Sequence, residues 1–565
     1  MTLLELINRA QDGHSESQYL VGKAHDEGKI TNRNLLEAIA WYQKAANQGH
    51  PLALKALGLD EISPTKVSET SIEHRVTKIY GPPGTGKTTA LLRLIQDAIT
   101  AGVEPDQIGF FSFTNKATEE AKSRMVTNFP QFDIDVDFPY FQTIHSLANN
   151  ALRTKVTVIS EQQAKKFDPD VKIERPFMRE GDETSQVVRI KHPVLDAATT
   201  ARSLKVSFKS YLENLPSTQR WPINKWLGIP FKMTSYAISE SGIDLCIEYN
   251  NKYETYKKNL DVIDFADMLD KAIINKMSLP ELKLLLIDEA QDLSPTQWDI
   301  ADVLITKAEK TYIAGDDDQA ICESFGASTK HFLEASGHEI VLKKSGRIPP
   351  VVHQHLSNLI TKLQLQNPSR KEKIWDPKDE GVSGEVYFFE NSAYFLKFLT
   401  EGIEHKTIKD VLLMFVTNSS LKSFSAILES NEISHYAANE LVGSGTPTIR
   451  LLTIWGAKGG QAETTALITT TDMDLRMLQE DPRLEYVAHS RAKNSFYYVG
   501  RFTGQGVLQH SADKAPQNQS LKISLNKPTN TSSEIIEGIQ PSVRPKTLDE
   551  FSAMFNKKKS SSADK

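Results

Sequence analysis

A glycine-rich loop between a strand-like and a helix-like segment constrains this chain more than any other feature. Val76–Tyr80 has the alternating residue pattern of a buried strand, and Ala90–Ile99 has the composition of a helix. The intervening segment reads GPPGTGKTT and has the spacing G-x-x-x-x-G-K-[ST]. Such glycines let backbone N–H groups close around phosphate oxygens at a helix N-terminus. The pattern predicts a strand–loop–helix unit that binds a nucleoside triphosphate through Gly81, Pro82, Gly84, Thr85, Gly86, Lys87, Thr88 and Thr89.

Two further strand-like segments end in acidic residues. Leu282–Ile287 is followed by Asp288 and Glu289, and Lys310–Gly315 is followed by three aspartates and Gln319. Functional groups collect at the carboxyl ends of parallel strands, so these side chains are expected beside the glycine-rich loop. Gln319, a neutral donor and acceptor, is then placed to sense a γ-phosphate.

The chemistry of phosphoryl transfer assigns a role to each of these residues. Lys87 is expected to reach the β- and γ-phosphates, and Thr88 to place its hydroxyl on Mg²⁺. Asp288 is expected in the shell of the same metal ion, and Glu289 beside the attacking water. Repulsion between the two adjacent acids would be relieved by Mg²⁺ and by Lys87.

Composition narrows the class of protein. The chain has 565 residues, 39% of them hydrophobic and 24% charged, which excludes collagen-like, fully disordered and disulfide-scaffold proteins. Its net charge of −6 excludes a surface that is strongly basic overall and binds nucleic acid in that way, but it is compatible with a local basic groove. No apolar run approaches the ~20 residues of a membrane span, and the N-terminus lacks the features of a secretory signal. With only Cys246 and Cys322, the sequence favours a reducing, cytoplasmic location without membrane contact.

Nine ordered motifs across about residues 75–502 resemble those of UvrD/Rep-type superfamily-one helicases. Three match closely: the glycine-rich loop, DEAQDLSPTQW and GDDDQAI. The complete series is Gly81–Thr89, Phe111–Lys122, Gln142–Arg153, Asp264–Leu269, Asp288–Trp298, Gly315–Ile321, Leu342–Pro349, Leu452–Glu463 and Leu484–Lys493.

The resemblance implies an α/β protein with two tandem RecA-like P-loop domains and ATP with Mg²⁺ between them. The first domain, residues 75–335, would carry a helical insertion at about 154–260 and supply Lys87, Thr88, Asp288, Glu289 and Gln319. The second, residues 336–502, would supply Arg347 and Arg491, which match the family arginines that reach the γ-phosphate. The interval between Arg347 and Trp455 leaves little room for the family's second insertion, so the chain resembles the compact, phage-type members.

The resemblance also implies a single-stranded DNA track over both domains. The matching residues are Phe113, Thr114, Asn115, Thr143, His145 and Trp455. Aromatic rings stack on bases without reading their identity, and hydroxyls and amides position phosphates. Two of these residues have alternative interpretations: Phe113 as a core residue at a strand end, and Trp455, where the family usually has His, as packing between the domains.

Several positions depart from the family pattern. Gly346 stands where the family has a tyrosine that stacks on adenine, and no glutamine motif precedes the phosphate loop. The preference for ATP over other nucleotides is therefore left open. In the third motif, Ser324–Ala327 reads SFGA, with the aromatic displaced and the arginine lost, and Gln461 replaces an acid in the fifth. These changes favour weaker coupling between strand and nucleotide.

The two ends of the chain differ from the centre. Gly13-His14 recurs as Gly49-His50, an offset of 36 residues, which is typical of helix–turn–helix repeats. Residues 1–60 resemble a Sel-one-like repeat module, a type that generally binds proteins; a helical cap on the next domain is the alternative. Residues 59–74 are predicted to be a linker, and residues 503–565 a disordered tail. Within the tail, residues 547–555 could form a short docking helix for a protein partner.

These features lead to two hypotheses from different classes. The first is an ATP-driven translocase and helicase on single-stranded DNA, moving 3′ to 5′ by family resemblance. The second is a DNA-stimulated ATPase switch in a repair or defence complex, which recruits a partner through the N-terminal repeat and unwinds little. A AAA+ machine shares the phosphate loop but is disfavoured by the two acidic motifs.

Overall fold

The protein is described here from a computed structural model. It describes residues 3–26, 38, 41–42, 44–45, 48, 50–56, 75–113, 115–152, 156–174, 188–216, 219–230, 236–274, 279–379, 384–390, 392–437, 440–442 and 449–500. Thr114, the whole of the predicted linker (residues 59–74) and the predicted tail with its 547–555 segment lie outside these ranges. None of the helices within them is both long and apolar enough to cross a membrane.

The N-terminal region is helical. Its described helices are Leu3–Gln11, Ser15–Asp26 and Pro51–Ala56. Gly22 has a packing reason for lacking a side chain, because a Cβ there would lie 2.8 Å from the ring of Tyr42. His50 stacks on Tyr19 and its Nε2 lies 2.7 Å from Glu16 Oε2, which ties the second half of the repeat to the first.

A six-stranded parallel sheet forms the first lobe. Its strands run in the order β3-β2-β6-β7-β1-β8. Alternate residues of β6 belong to opposite cores, Leu285 and Ile287 to one and Leu284 and Leu286 to the other. Both faces are therefore covered, which explains the continuous apolar run in the sequence. The strands are β1 (Val76–Tyr80), β2 (Ile108–Ser112), β3 (Phe141–Thr143), β6 (Leu284–Asp288), β7 (Lys310–Gly315) and β8 (His338–Val341).

Helices flank this sheet, and short 3-10 turns lie in its connecting segments. The helices are Lys87–Thr100, Asn115–Asn128, Ile144–Leu152, Asp267–Ile274, Pro295–Lys307 and Thr329–Glu334. The 3-10 turns are Pro105–Gln107, Ala290–Asp292, Asp317–Gln319 and Glu323–Phe325.

A helical insertion lies between β3 and β6 and has its own core, which includes Val194, Leu212 and Cys246. It contains a small antiparallel hairpin, β4 (Lys172–Glu174) with β5 (Arg189–Lys191). Asp267, in the Asp264–Leu269 motif, anchors the insertion by accepting hydrogen bonds from Arg202 at 2.6 Å and Lys257 at 2.7 Å. The helices of the insertion are Glu161–Phe167, Pro193–Ser203, Phe208–Glu213, Trp221–Trp226 and Glu240–Leu260.

A seven-stranded sheet forms the second lobe, in the order β12-β11-β13-β10-β14-β15-β9, with β12 antiparallel to its neighbour. Two largely parallel sheets between helices are consistent with RecA-like domains and confirm the predicted α/β class. The strands are β9 (Glu385–Phe389), β10 (Val411–Phe415), β11 (His435–Ala437), β12 (Glu440–Val442), β13 (Ile449–Thr453), β14 (Ala462–Thr469) and β15 (Ala492–Gly500). The helices are Pro350–Gln366, Ser392–Glu404, Asn418–Ser430, Asp472–Glu480 and Pro482–His489.

Candidate functional site

The glycine-rich loop lies between β1 and the helix that begins at Lys87, and it closes around the lysine side chain. Lys87 Nζ donates a hydrogen bond to the carbonyl of Gly81 at 3.0 Å. Gly81 cannot carry a side chain here, because a Cβ would lie 1.8 Å from Lys87 Cγ. Gly86 has φ +84°, the left-handed conformation that turns the chain into the helix. All eight loop residues predicted for phosphate binding are thus brought to one helix N-terminus.

Asp288 and Glu289 stand at the end of β6, beside this loop. Thr88 Oγ1 donates to Asp288 Oδ2 at 2.7 Å, and Lys87 Nζ lies 4.0 Å from Glu289 Oε1. Burial, and then the Glu289 carboxylate, raise the pKa of Asp288 to about 6. Glu289 is half-buried, which by itself would raise its pKa, but Lys87 and Lys458 lower that pKa to about 2. Its φ of +52° is unusual for a residue with a side chain and marks a locally strained backbone, as is common at functional sites.

The donor set at Thr88 and Asp288 fits Mg²⁺. A hydroxyl and a carboxylate are hard oxygen ligands, and magnesium typically takes one or two protein ligands with waters and substrate phosphates. In the described ranges, no group of three or more His, Cys, Asp and Glu side chains is arranged to hold a metal. A magnesium ion held by Thr88 and Asp288 would take its remaining ligands from water and the phosphates of the nucleotide.

Gln291 joins the two acidic strand ends. Its Nε2 donates to Glu289 Oε2 at 2.6 Å, and its Oε1 accepts from the backbone N–H of Asp316 at 2.9 Å. Gln319 follows Asp316 by one turn and donates to its Oδ2 at 2.5 Å. Gln319 is therefore held at the edge of the site, as its position after β7 predicts.

Both predicted arginines lie at the boundary with the first lobe. Arg491 Nη2 donates to Gln319 Oε1 at 2.6 Å, and Arg347 Nη1 donates to the carbonyl of Ser490 at 2.9 Å. Burial, and then the neighbouring Arg347 charge, lower the pKa of Arg491 to about 9. Two guanidinium groups crowded in a buried position form a site that an anion would stabilise.

The segment carrying Arg347 also rests directly on the phosphate loop. Ser345 Oγ donates to the Pro83 carbonyl at 2.9 Å, and the Gly346 N–H donates to the Gly84 carbonyl at 2.9 Å. Gly84 has φ +73°, and a Cβ there would lie 2.5 Å from Arg347 Cβ. At Gly346, where the family has tyrosine, the contact with the loop is made by the backbone.

A cavity of about 560 Å³ lies between the two lobes and the insertion, and Glu289 is among the residues that line it. Four of the six residues predicted to bind DNA line it, namely Phe113, Thr143, His145 and Trp455. Phe113 packs against the cores of both lobes. Trp455 Nε1 donates to the Ile321 carbonyl at 2.9 Å, so it packs between the lobes while lining the cavity. Both residues therefore have the packing role that their alternative interpretations predict, in addition to facing the cavity.

His145 and Thr143 also have partners within the protein. The His145 ring stacks on Phe265 with 4.6 Å between centroids, and burial followed by the Arg189 charge lowers the pKa of His145 to about 4. Thr143 Oγ1 accepts from the Ser146 N–H at 3.1 Å at the start of a helix. Thr114 lies outside the described residues, and Asn115 begins the helix Asn115–Asn128.

Two parts of the chain match known families. Residues 64–338 match the UvrD/REP helicase N-terminal domain, and residues 15–50 match the Sel1 repeat. The chain carries a UvrD/Rep helicase domain. The family predicted from the ordered motifs is confirmed, as is the Sel-one-like nature of the N-terminal repeat.

Three relatives of this UvrD/Rep helicase domain protein share low sequence identity with it. The ATP-dependent DNA helicase Rep of Buchnera aphidicola subsp. Baizongia pistaciae is 24% identical, over 62% of this chain and 51% of that protein. A probable DNA helicase of Mycoplasma pneumoniae is 22% identical, over 78% of this chain and 83% of that protein. The mitochondrial ATP-dependent DNA helicase HMI1 of Saccharomyces cerevisiae is 24% identical, over 67% of this chain and 53% of that protein. The chain thus spans about half the length of the Rep and HMI1 proteins.

Several residues around the site were missed by sequence reasoning. Lys458 Nζ donates to Asp292 Oδ1 at 2.6 Å and to the Gln319 carbonyl at 2.8 Å, which joins the lobes. It lies within the fifth UvrD/Rep motif, so its place in that motif was an available signal. Arg370 and Lys373 pair with the aspartates after β7. They lie outside the nine motifs, and nothing in their spacing distinguishes them from surface charge.

Proposed function

We propose that this protein is an ATP-dependent DNA translocase and helicase that hydrolyses ATP at the boundary between its two lobes. The observation that carries the proposal is the 2.6 Å hydrogen bond from Arg491 to Gln319, because it brings a second-lobe guanidinium to the acidic strand ends of the first lobe. The family match and the named activities of the relatives support the same function.

In this proposal the first lobe binds and orients the triphosphate. The backbone N–H groups of the loop and Lys87 hold the phosphate oxygens. Glu289, kept ionised by Lys87 and Lys458, orients the attacking water and accepts its proton. Mg²⁺, held by Thr88 and Asp288, would neutralise charge on the β- and γ-phosphate oxygens.

The second lobe then supplies positive charge where negative charge develops. Arg347 and Arg491 would stabilise the phosphoryl oxygens of the transition state, an effect worth about 10³–10⁵ in rate for arginine fingers generally. Because these groups stand on the other lobe from Lys87, hydrolysis requires the lobes to be closed. Nucleotide turnover is in this way coupled to movement of the lobes.

We propose single-stranded DNA as the second substrate, bound in the cavity lined by Phe113, His145 and Trp455. These rings can stack on bases without sequence preference. The direction of movement, 3′ to 5′, follows from the family resemblance. Cys246 and Cys322 are free and buried, which agrees with a reducing compartment such as the cytoplasm.

A DNA-stimulated ATPase switch is the second candidate. Phe325, in the altered third motif, is 57% exposed and lines the cavity in place of the family's arginine. Loss of that arginine favours weaker coupling between DNA and nucleotide. The Sel1 repeat would then recruit a protein partner, for example in DNA repair.

One set of assays on the full chain tests these proposals. ATP hydrolysis is measured with and without single-stranded DNA, and DNA binding is measured across salt. We expect DNA to stimulate turnover, and binding to weaken with a log–log slope of about −0.7 per phosphate contacted. The absence of DNA binding at low salt would overturn the DNA-dependent function.

A strand-displacement assay then separates the two candidates. Duplexes carrying only a 3′ tail or only a 5′ tail are compared under the same conditions. Displacement from the 3′-tailed duplex alone supports the 3′–5′ helicase. DNA-stimulated hydrolysis without displacement of either duplex favours the switch or a translocase that does not unwind.

A further inference from the structure

The amide of Gln319 is held from both sides. Its Nε2 donates to Asp316 Oδ2 at 2.5 Å, and its Oε1 accepts from Arg491 Nη2 at 2.6 Å. The two bonds fix the orientation of the amide, with its oxygen toward Arg491. Rotation of the amide by half a turn would place its N–H group against the guanidinium. Asp316 therefore determines whether Gln319 can hold Arg491.

Asp316 is in turn held by Lys373. Lys373 Nζ lies 2.8 Å from Asp316 Oδ1 and 2.9 Å from Asp318 Oδ2, and it also pairs with Asp317. Its side chain is 1% exposed and that of Asp316 is fully buried. Arg370 completes the cluster through two bonds to Asp318, at 2.7 and 2.6 Å.

Lys373 belongs to the second lobe. It follows the helix Pro350–Gln366, and both Leu356 of that helix and Trp375 lie in the second-lobe core. A series of contacts therefore connects Lys373 of the second lobe to Asp316 of the first lobe. Asp316 contacts Gln319, and Gln319 contacts Arg491, which again belongs to the second lobe.

We propose that Lys373 is a positioning residue for ATP hydrolysis, acting through Asp316 and Gln319 on Arg491. This inference rests on the proposed function. Without the ammonium, Asp316, Asp317 and Asp318 lose the cation that pairs with all three of them, and repulsion from its neighbours turns Asp316 away from Gln319. Gln319 then loses its acceptor, and Arg491 loses the oxygen that directs it.

The first test is Lys373→Met against Lys373→Arg in the full chain. Because Lys373 does not contact the nucleotide loop, we expect Lys373→Met to lower kcat by about 10–100-fold with KM for ATP changed less than about threefold, as for a small misplacement of a reacting group. Lys373→Arg keeps the charge and should restore most of the rate. A normal kcat in Lys373→Met would overturn the inference.

The decisive test repeats Lys373→Met in a Gln319→Ala background. If Lys373 acts through Gln319, the second substitution adds no further loss of kcat. Equal fold-losses in both backgrounds would show that Lys373 acts by another route and would overturn the proposal.

The control for folding is the double variant Lys373→Met/Asp317→Asn. Its cluster has the same net charge as that of the natural protein, but Asp316 still lacks the ammonium group of Lys373. It should show the same loss of kcat, and a normal rate in this variant would count against the inference. A failure of the proposed function gives a different result from a failure of this inference. If the natural protein shows no ATP hydrolysis that depends on Lys87, the proposed function is overturned, and this inference with it.

Discussion

The two lobes bring opposite charges to their common boundary. The first lobe contributes carboxylates at its strand ends, including Asp288, Glu289, Asp292 and Asp316. The second lobe contributes cations, including Arg347, Arg370, Lys373, Lys458 and Arg491. Direct contacts join the two sets, such as Lys458 with Asp292 and Lys373 with Asp316.

The two sets also differ in how they are held. Asp288 and Glu289 are ordered by residues of their own lobe, since Thr88 donates to Asp288 and Gln291 donates to Glu289. Arg491 and Lys458, in contrast, are directed partly by first-lobe oxygens. On the proposed function, we therefore expect the first lobe to bind nucleotide alone and the second to contribute only when the lobes are closed.

The substitution Lys87→Ala tests the first lobe and should have the largest effect. It removes the ammonium from the phosphate loop and leaves Glu289 beside Asp288 without its nearest cation. We expect ATP hydrolysis to fall to background while single-stranded DNA binding is largely retained, because Lys87 itself does not line the proposed DNA cavity. Steady-state hydrolysis and fluorescence anisotropy of labelled DNA measure the two properties, and persistent turnover would contradict the assignment.

Arg491→Ala makes the matched change in the second lobe. Nucleotide binding should remain, but turnover should fall by about 10³-fold or more, as for other arginine fingers. A fluorescent ATP analogue measures binding independently of hydrolysis. If Arg491→Ala hydrolysed ATP at nearly the natural rate, Arg491 would not be the finger and the difference between the lobes would disappear.

Lys458→Met breaks a contact between the lobes and should lower the stability of the folded chain. Its side chain is 15% exposed, and removing one partner of a buried ion pair typically costs about 3–5 kcal/mol. We expect a lower thermal midpoint, with recovery in Lys458→Met/Asp292→Asn because the uncompensated carboxylate is removed. An unchanged midpoint in the single variant would show that the pair does not hold the lobes together.

The same contrast explains what the sequence could predict. The phosphate loop, Asp288 and Gln319 follow strands in short contiguous motifs, so local pattern and strand-end geometry place them together. Arg347 and Arg491 were assigned only by resemblance to the family. Their positions across the boundary, together with the helical insertion and the seven-stranded sheet, depend on contacts distant in sequence.

Lys373 and Phe265 show why the remainder was not predictable. Lys373 lies in the charged run Arg370–Lys373, which in sequence is indistinguishable from a solvated loop, yet it is buried against Asp316. Phe265 lies in a segment identified only by resemblance, and its stacking on His145 follows from how the insertion returns to the first lobe. Burial of a charge and the meeting of two rings are properties of the folded chain.

The smallest expected effect is at Trp455, which has both a packing and a proposed DNA-binding role. Trp455→Phe retains an aromatic face but loses the Nε1 bond to Ile321, whereas Trp455→Ala loses both. If stacking matters, Trp455→Ala should weaken single-stranded DNA binding by about 1–3 kcal/mol while Trp455→Phe remains within about threefold of the natural affinity. Anisotropy titrations at fixed salt measure both, with thermal midpoints as the control for packing. If both variants lose stability equally and bind DNA normally, Trp455 joins the lobes and is not part of the DNA track.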